Sequence, residues 1–325
     1  MNRERDITFD IMKGIGILLV ITCHFFGWNH PLLANSINSF HMPMFFIVAG
    51  FFSKTYTNWK SALGQIWNYI KRLWEPFCFI QILIVLWGLF LVVAQQGDIN
   101  RVISDFLSIF WADVYGPTTS FGKLSIGVTW FLMALLVAKI ILLPLTRTGG
   151  WAIPISLVLA YGTILLHDIF PYSIWCISLG ITALPFVTIG WWVKNHKIPL
   201  WVKIFITALW PVAIIFAKLD MFEFLWECYI LNTLGACGGT YCLFLLCKFF
   251  ATKTHITAKA LASLGLWSLA IMCFHHFEME THMTNHILAL IPVSFSIGVK
   301  YIFRYIITIG MAVLAMHTPL IKKIF

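Results

Sequence analysis

The sequence predicts an all-α, polytopic integral membrane protein of about ten transmembrane helices, and three observations carry that expectation. Hydrophobic residues make up 60% of the chain, charged residues 11%, and the mean hydropathy is +0.87, whereas soluble domains carry about 25% charged residues. Apolar runs long enough to span a bilayer recur from end to end, a hydrocarbon core of about 30 Å needing about 20 apolar residues in a helix. The cations, finally, gather on alternate connections, as the positive-inside rule requires.

The runs fall near residues 9–29, 41–53, 74–94, 126–146, 150–167, 173–193, 199–218, 225–247, 260–277 and 300–320. Each is read as a helix, because lipid leaves no water to satisfy the backbone of an open chain. The first holds Asp10 and Lys13 in its entry, with no small-residue cleavage site behind it, so it reads as a retained helix and not a signal peptide. The second is short and carries Pro43, which favours a tilted or cracked helix.

With the N-terminus in the cytoplasm and strict alternation, the outer side keeps only Arg101, Lys123, Lys218, Lys300 and Arg304 of the 22 Lys and Arg. It takes nine of the 13 acids, from Asp98 to Glu280. Both termini are then cytoplasmic. Residues 95–125, with a GPTTSFG turn cluster, read as the longest outer loop, and residues 278–299 as an interfacial or re-entrant stretch. No repeat or appended soluble domain interrupts residues 1–325, which read as one membrane domain. The formal charge of +9 follows loop topology, so nucleic acid is not an expected partner.

None of the eight cysteines forms a CxxC pair. They read as small buried apolar residues, with neither a disulfide framework nor a zinc site indicated.

Ionisable groups within spans are costly and mark function by default. In KGIGILLVITCH, Lys13 and His24 lie eleven positions apart with nothing charged between them. Eleven steps of about 100° make about three turns, so both project from one helix face, about 16 Å apart. Lys13 alone could snorkel to the surface; His24, about five turns into the span, is harder to dismiss, the other reading being a structural histidine that bridges two helices. Asp10 precedes Lys13 by three and is placed to orient it. His41, at the head of FHMPMFFIVAGFF across a short hairpin, falls toward the same end as His24. The spacing of these groups matches no metal-ligand signature, and no metal is expected. Lys71 and Arg72, in NYIKRLWEPF, read either as a positive-inside anchor or as a phosphate clamp. His275 and His276 close LGLWSLAIMCFHHFEMET, ahead of Glu278 and Glu280.

These motifs resemble the membrane acyltransferase-3 family. RDITFDIMKGIGILLVITCHF is similar to that family's first helix, with its basic residue, ten spacers and histidine, matched by Lys13 and His24. FHMPMFFIVAGFF resembles the element that follows, closest to the fucose 4-O-acetylase-like branch. IKRLWEPF, VTWFLMALL (Val128–Leu136) and SLAIMCFH (Ser268–His275) resemble later blocks in the expected order. Ala49 stands where the branch usually has serine, Tyr69 departs from an RxxR pair, and Glu75 precedes Pro76 where the branch is apolar.

The resemblance implies acyl transfer, usually acetyl, from cytoplasmic acetyl-CoA to a hydroxyl of a glycan or lipid-linked sugar across a bacterial inner (plasma) membrane. It implies His24, Lys13 and Asp10 as the catalytic set, and Lys13, Lys71 and Arg72 as contacts to the donor's phosphates. His24 would be general base or acyl acceptor. His41, Trp130 and His275 are the candidates on the acceptor side. A transporter or flippase for a lipid-linked sugar remains open, the same polar residues lining a passage; LGACGG (Leu234–Gly239) is the one glycine-rich spot that would suit it.

Overall fold

The computed structural model describes residues 6–26, 30–291 and 296–325. Its helices run, in chain order, α1 (Ile7–Phe26), α2 (Pro31–Asn38), α3 (His41–Phe51), α4 (Trp59–Val93) and α5 (Ile99–Trp111). Next come α6 (Trp130–Leu145), α7 (Ala152–Leu166), α8 (Ile177–Val193), α9 (Leu200–Phe216) and α10 (Tyr229–Lys253). The last are α11 (His255–Leu266), α12 (Ser268–Thr281), α13 (Met283–Ala289), α14 (Ile297–His317) and α15 (Pro319–Lys322). Two antiparallel pairs of two-residue strands complete it: β1 (Thr118–Thr119) with β2 (Gly122–Lys123), and β3 (Leu219–Asp220) with β4 (Leu225–Trp226). The chain is all-α in class, and among the described residues six helical stretches are long and apolar enough to cross a membrane. A seventh qualifies if α11 and α12, broken at Trp267, count as one span.

Local chemistry explains the boundaries. Pro31 opens α2, where its missing N–H costs nothing. Asp98 caps α5 by accepting the Asn100 N–H, and Ala112 closes it in the left-handed conformation. Ser296 caps α14 by accepting the Val299 N–H. Pro76, Pro144, Pro185 and Pro211 lie inside helices, as apolar surroundings tolerate when neighbours re-satisfy the freed carbonyl.

Three stretches depart from the sequence reading. Residues 95–125 are not simply loop, because they contain the amphipathic helix α5 and the β1–β2 hairpin. The single run expected at 260–277 is two helices, α11 and α12. The 278–299 stretch is helical over most of its described part: α12 continues to Thr281, His282 turns the chain with φ 49°, and α13 follows.

The chain forms two compact units. Unit 1 comprises residues 1–58, 138–166 and 181–268. Its core is built from α1, α3, α10 and α11, with Ile11, Met12, Met44, Val48, Leu243 and Ala262 buried together. Small residues let these helices approach closely: a Cβ on Gly14 would lie 2.0 Å from the Leu261 carbonyl oxygen, and one on Gly265 would lie 1.7 Å from that of Asp10. Unit 2 comprises residues 59–137, 167–180 and 269–325. Phe77 and Ile80 of α4, Ile126, and Ile271 and Cys273 of α12 are fully buried in it.

Candidate functional site

In unit 1 the polar line along α1 begins with an ion pair. Lys13 Nζ lies 2.8 Å from Asp10 Oδ1, the carboxylate side chain 8% exposed and the lysine 25%. The i,i+3 spacing puts the two on adjoining faces. Asp10 is buried because α11 comes so close at Gly265 that its backbone covers the Asp10 peptide. One ammonium proton meets the carboxylate, which leaves two more to give elsewhere.

His24 is half-buried on the same helix, near its other end. His41 opens α3 and is 6% exposed, close enough to His24 for their charges to interact. His41 Nδ1 lies 2.8 Å from the Ile37 carbonyl oxygen. A carbonyl only accepts, so Nδ1 carries the proton and Nε2 keeps its lone pair. Beside these imidazoles, Cys23 Sγ donates to Asn38 Oδ1 at 3.3 Å, and Asn38 Nδ2 donates to Asp220 Oδ2 at 3.1 Å. Asp220 also accepts the Phe222 and Glu223 N–H groups. Burial pushes its carboxyl above the ordinary carboxylate range, against the pull of those two donors. The residues expected at one end of α1 are thus brought together with polar groups of α2 and the β3–β4 hairpin.

The remaining expected residues belong to unit 2. Lys71 and Arg72 are exposed on α4, just before its apolar stretch, with Lys71 Nζ 5.4 Å from the Trp67 ring centroid. That is cation–π distance. Trp130, 3% exposed, opens α6 with an edge-on contact to Phe131. His275 is fully buried on α12.

Sequence reasoning passed over the densest polar network of unit 2. Gln81, a lone amide in the apolar stretch of α4, is 3% exposed. Its Nε2 lies 2.9 Å from Thr129 Oγ1 and 3.3 Å from His276 Nε2. The proton positions follow by elimination. Thr129 spends its hydroxyl proton on the Ile126 carbonyl at 2.6 Å, so its oxygen accepts, and the amide group beside it is the NH₂. Gln81 Nε2 also lies 3.4 Å from the Ile126 carbonyl oxygen, so its two protons face three acceptors; an amide nitrogen only donates, so the His276 Nε2 beside it is the lone-pair nitrogen. His276 Nδ1 therefore bears the ring proton and faces Glu280 Oε1, 3.9 Å away. Arg101 of α5 completes the row, its Nη2 3.2 Å from Glu280 Oε2 and 3.3 Å from the Glu280 carbonyl oxygen. Between His276 and Glu280 in α12, and on another face of the helix, Glu278 is wholly buried with Oε2 2.8 Å from Arg304 Nε of α14.

An open cleft of about 250 Å³ lies over this row, lined by Arg101, Asp105, Phe121, Lys123, Gly127 and Glu280 among others. Burial pushes the Asp105 carboxyl up to about 6, with the Glu280 charge adding to the rise and Arg101 opposing it. Gly127, with φ 51°, packs so tightly that a Cβ there would be 2.7 Å from His276 Cε1. The signal that could have found the network is Gln81 itself: an amide in an apolar run must find partners.

Apolar helices of spanning length that carry two buried polar centres define a membrane enzyme or carrier. The family comparison decides between those classes. The family described as Acyltransferase domain (Acyl_transf_3) matches residues 6–317. The chain belongs to that acyltransferase-3 family and is a membrane acyltransferase. No curated protein and no solved structure matches it.

Proposed function

We propose that the protein moves an acetyl group from cytoplasmic acetyl-CoA to a hydroxyl of an extracytoplasmic or lipid-linked glycan, across the inner membrane of a bacterium, as a member of the fucose 4-O-acetylase-like branch. The observation that supports this most directly is the line on α1: Lys13 paired with Asp10 at 2.8 Å, and His24 about 16 Å further along the same face. The ten-span arrangement with both termini cytoplasmic gives the Lys13 end to the donor. The two free ammonium protons of Lys13 suit a donor phosphate, and the resemblance adds Lys71 and Arg72 as further phosphate contacts. The thin pantetheine arm then carries the thioester to His24.

In the direct route the His24 imidazole takes the proton of the acceptor hydroxyl as its oxygen attacks the thioester carbon. The carbon–sulfur bond breaks, and the CoA sulfur leaves with that proton. In the covalent route the imidazole lone pair attacks the thioester carbon and the carbon–sulfur bond breaks to release CoA thiolate; the acetyl group then passes from nitrogen to the hydroxyl oxygen, whose proton goes to the thiolate as the free imidazole is restored. His41, whose Nε2 keeps its lone pair because Nδ1 bonds the Ile37 carbonyl, accepts a hydrogen bond from another hydroxyl of the acceptor.

The test uses purified protein in nanodiscs with radiolabelled acetyl-CoA and a glycan extract. His24→Ala is expected to bind CoA and release none, and Lys13→Ala chiefly to weaken binding. Label retained on wild type and absent from His24→Ala identifies the covalent route. A wild type that neither binds nor cleaves acetyl-CoA rules the proposal out and favours transport of a lipid-linked sugar.

A further inference from the structure

The cleft in unit 2 has a use that the α1 line does not explain. Its charged lining is balanced: Arg101 and Lys123 stand against Asp105 and Glu280. Those charges are also largely spent on one another. Arg101 reaches Glu280 at 3.2 Å and Asp105 at 3.9 Å, while Lys123 Nζ lies 6.0 Å from the Tyr115 ring. Lys123 has no carboxylate within ion-pair distance among the described residues, but with two cations against two anions the lining carries no net formal charge to select an ion.

A lining of alternating donors and acceptors does suit groups that both give and take hydrogen bonds. The carboxylate oxygens accept, the guanidinium donates, and Phe121, 39% exposed, offers an apolar ring face. Behind them His276 is 1% exposed, and its Nδ1 has no hydrogen-bond partner among the described residues. By the tautomer derived from Gln81 and Thr129, that nitrogen is a donor. The edge it occupies faces Gly127 and Glu280, both of which line the cleft. Any side chain at position 127 would lie against that edge; glycine leaves it uncovered. A buried donor without an acceptor is costly, and a hydroxyl lying beside it and Glu280 Oε1 would accept from the first and donate to the second.

We propose, resting on the glycan-acceptor reading above, that this cleft seats one neutral sugar ring, with Asp105 and Glu280 accepting its hydroxyl protons, Arg101 and His276 Nδ1 donating to its oxygens, and Phe121 flanking its apolar face. His276 is then a binding residue held in one tautomer by Gln81.

The test is saturation-transfer NMR on the full chain in nanodiscs without acetyl-CoA. The probes are the methyl glycosides of glucose, galactose, mannose and N-acetylglucosamine, with inorganic phosphate as the charged control. At least one glycoside is expected to bind, and phosphate not to. Asp105→Asn and Glu280→Gln are expected to weaken that glycoside about tenfold or more, as befits a lost hydrogen bond to a charged group. Phe121→Ala weakens it with every charge left in place, which guards against misfolding of the charge variants. Absence of signal from every glycoside, a signal unchanged in all three variants, or binding of phosphate in place of sugar overturns the proposal. Acetyl transfer measured on the same samples separates the two claims. Glycoside binding without turnover in any variant keeps the cleft and sinks the acetyl-transfer reading. Turnover with an acceptor KM untouched by the three substitutions sinks the cleft alone.

Discussion

Replacing Gly265 with alanine tests whether the α1–α11 packing holds the Asp10–Lys13 pair in place. The new Cβ would be built 1.7 Å from the Asp10 carbonyl oxygen, whereas ordinary contact begins at 3.4 Å. The obstacle is backbone, so no rotamer change relieves it, and the two helices must part locally by about 1.7 Å. Overpacking of this kind costs about 1–3 kcal/mol, and each kcal/mol lowers the melting temperature by about 2–4 °C in a chain of about 150–250 residues, less in a longer one. The functional cost is expected to be larger, because a misplacement of about 1 Å can lower a rate about 10²-fold. Gly14→Ala strains the same crossing from the other side, with its Cβ 2.0 Å from the Leu261 carbonyl oxygen. Once one substitution has separated the helices, the second meets a partly opened gap. The double variant should therefore cost less than the sum of the singles. Melting would be followed by tryptophan fluorescence in one detergent, and donor binding and CoA release on the same preparations. A Gly265→Ala protein that melts with wild type and retains full turnover would refute the reasoning, as would strictly additive singles.

Two further perturbations probe unit 2. Glu278→Ala removes the carboxylate 2.8 Å from the part-buried Arg304 guanidinium and should cost about 3 kcal/mol, whereas Glu278→Gln combined with Arg304→Met should recover most of that loss in the same melts; equal losses in both would argue that this pair is not the stabilising contact. Asp105 titrates at about 6 in the folded protein against an ordinary 3.8, so between about pH 4 and 6 the folded state holds a proton that the unfolded chain releases. Its contribution is most favourable below about pH 4 and is lost as pH rises through 6. Wild type should therefore lose stability relative to Asp105→Asn across that window, and parallel melting curves for the two would contradict the burial-driven shift.

What could be read from the sequence depended on whether a distance lay within one helix or between several. Lys13 and His24 share α1, so helical periodicity alone sets their separation and face, and Asp10 was legible as the partner of Lys13 for the same reason. The helices themselves follow from apolar runs, with α5 the exception, since it lies in the stretch that reads as the longest outer loop. Its signs were present: Asp98 as cap and Val102, Phe106 and Ile109 at helical spacing. Arg101 and Asp105, four residues apart, form one polar face of that helix. The break at Trp267 has no proline to announce it.

The unit 2 network shows why the rest stayed hidden. His275 and His276 are consecutive, so they point about 100° apart, and nothing in the motif says which of them meets Gln81. That choice is made by Gln81 and Thr129, 195 residues before and 147 before His276 in the chain. What the sequence does impose is a demand: an amide in an apolar run has to be satisfied by something. The rule that ionisable groups in a span mark function led to His24 and passed over Gln81, which carries no charge. Yet once its two protons are placed, the amide fixes the tautomer of His276, and with it the donor that faces the cleft. A neutral residue thereby decides what the charged ones around it are able to bind.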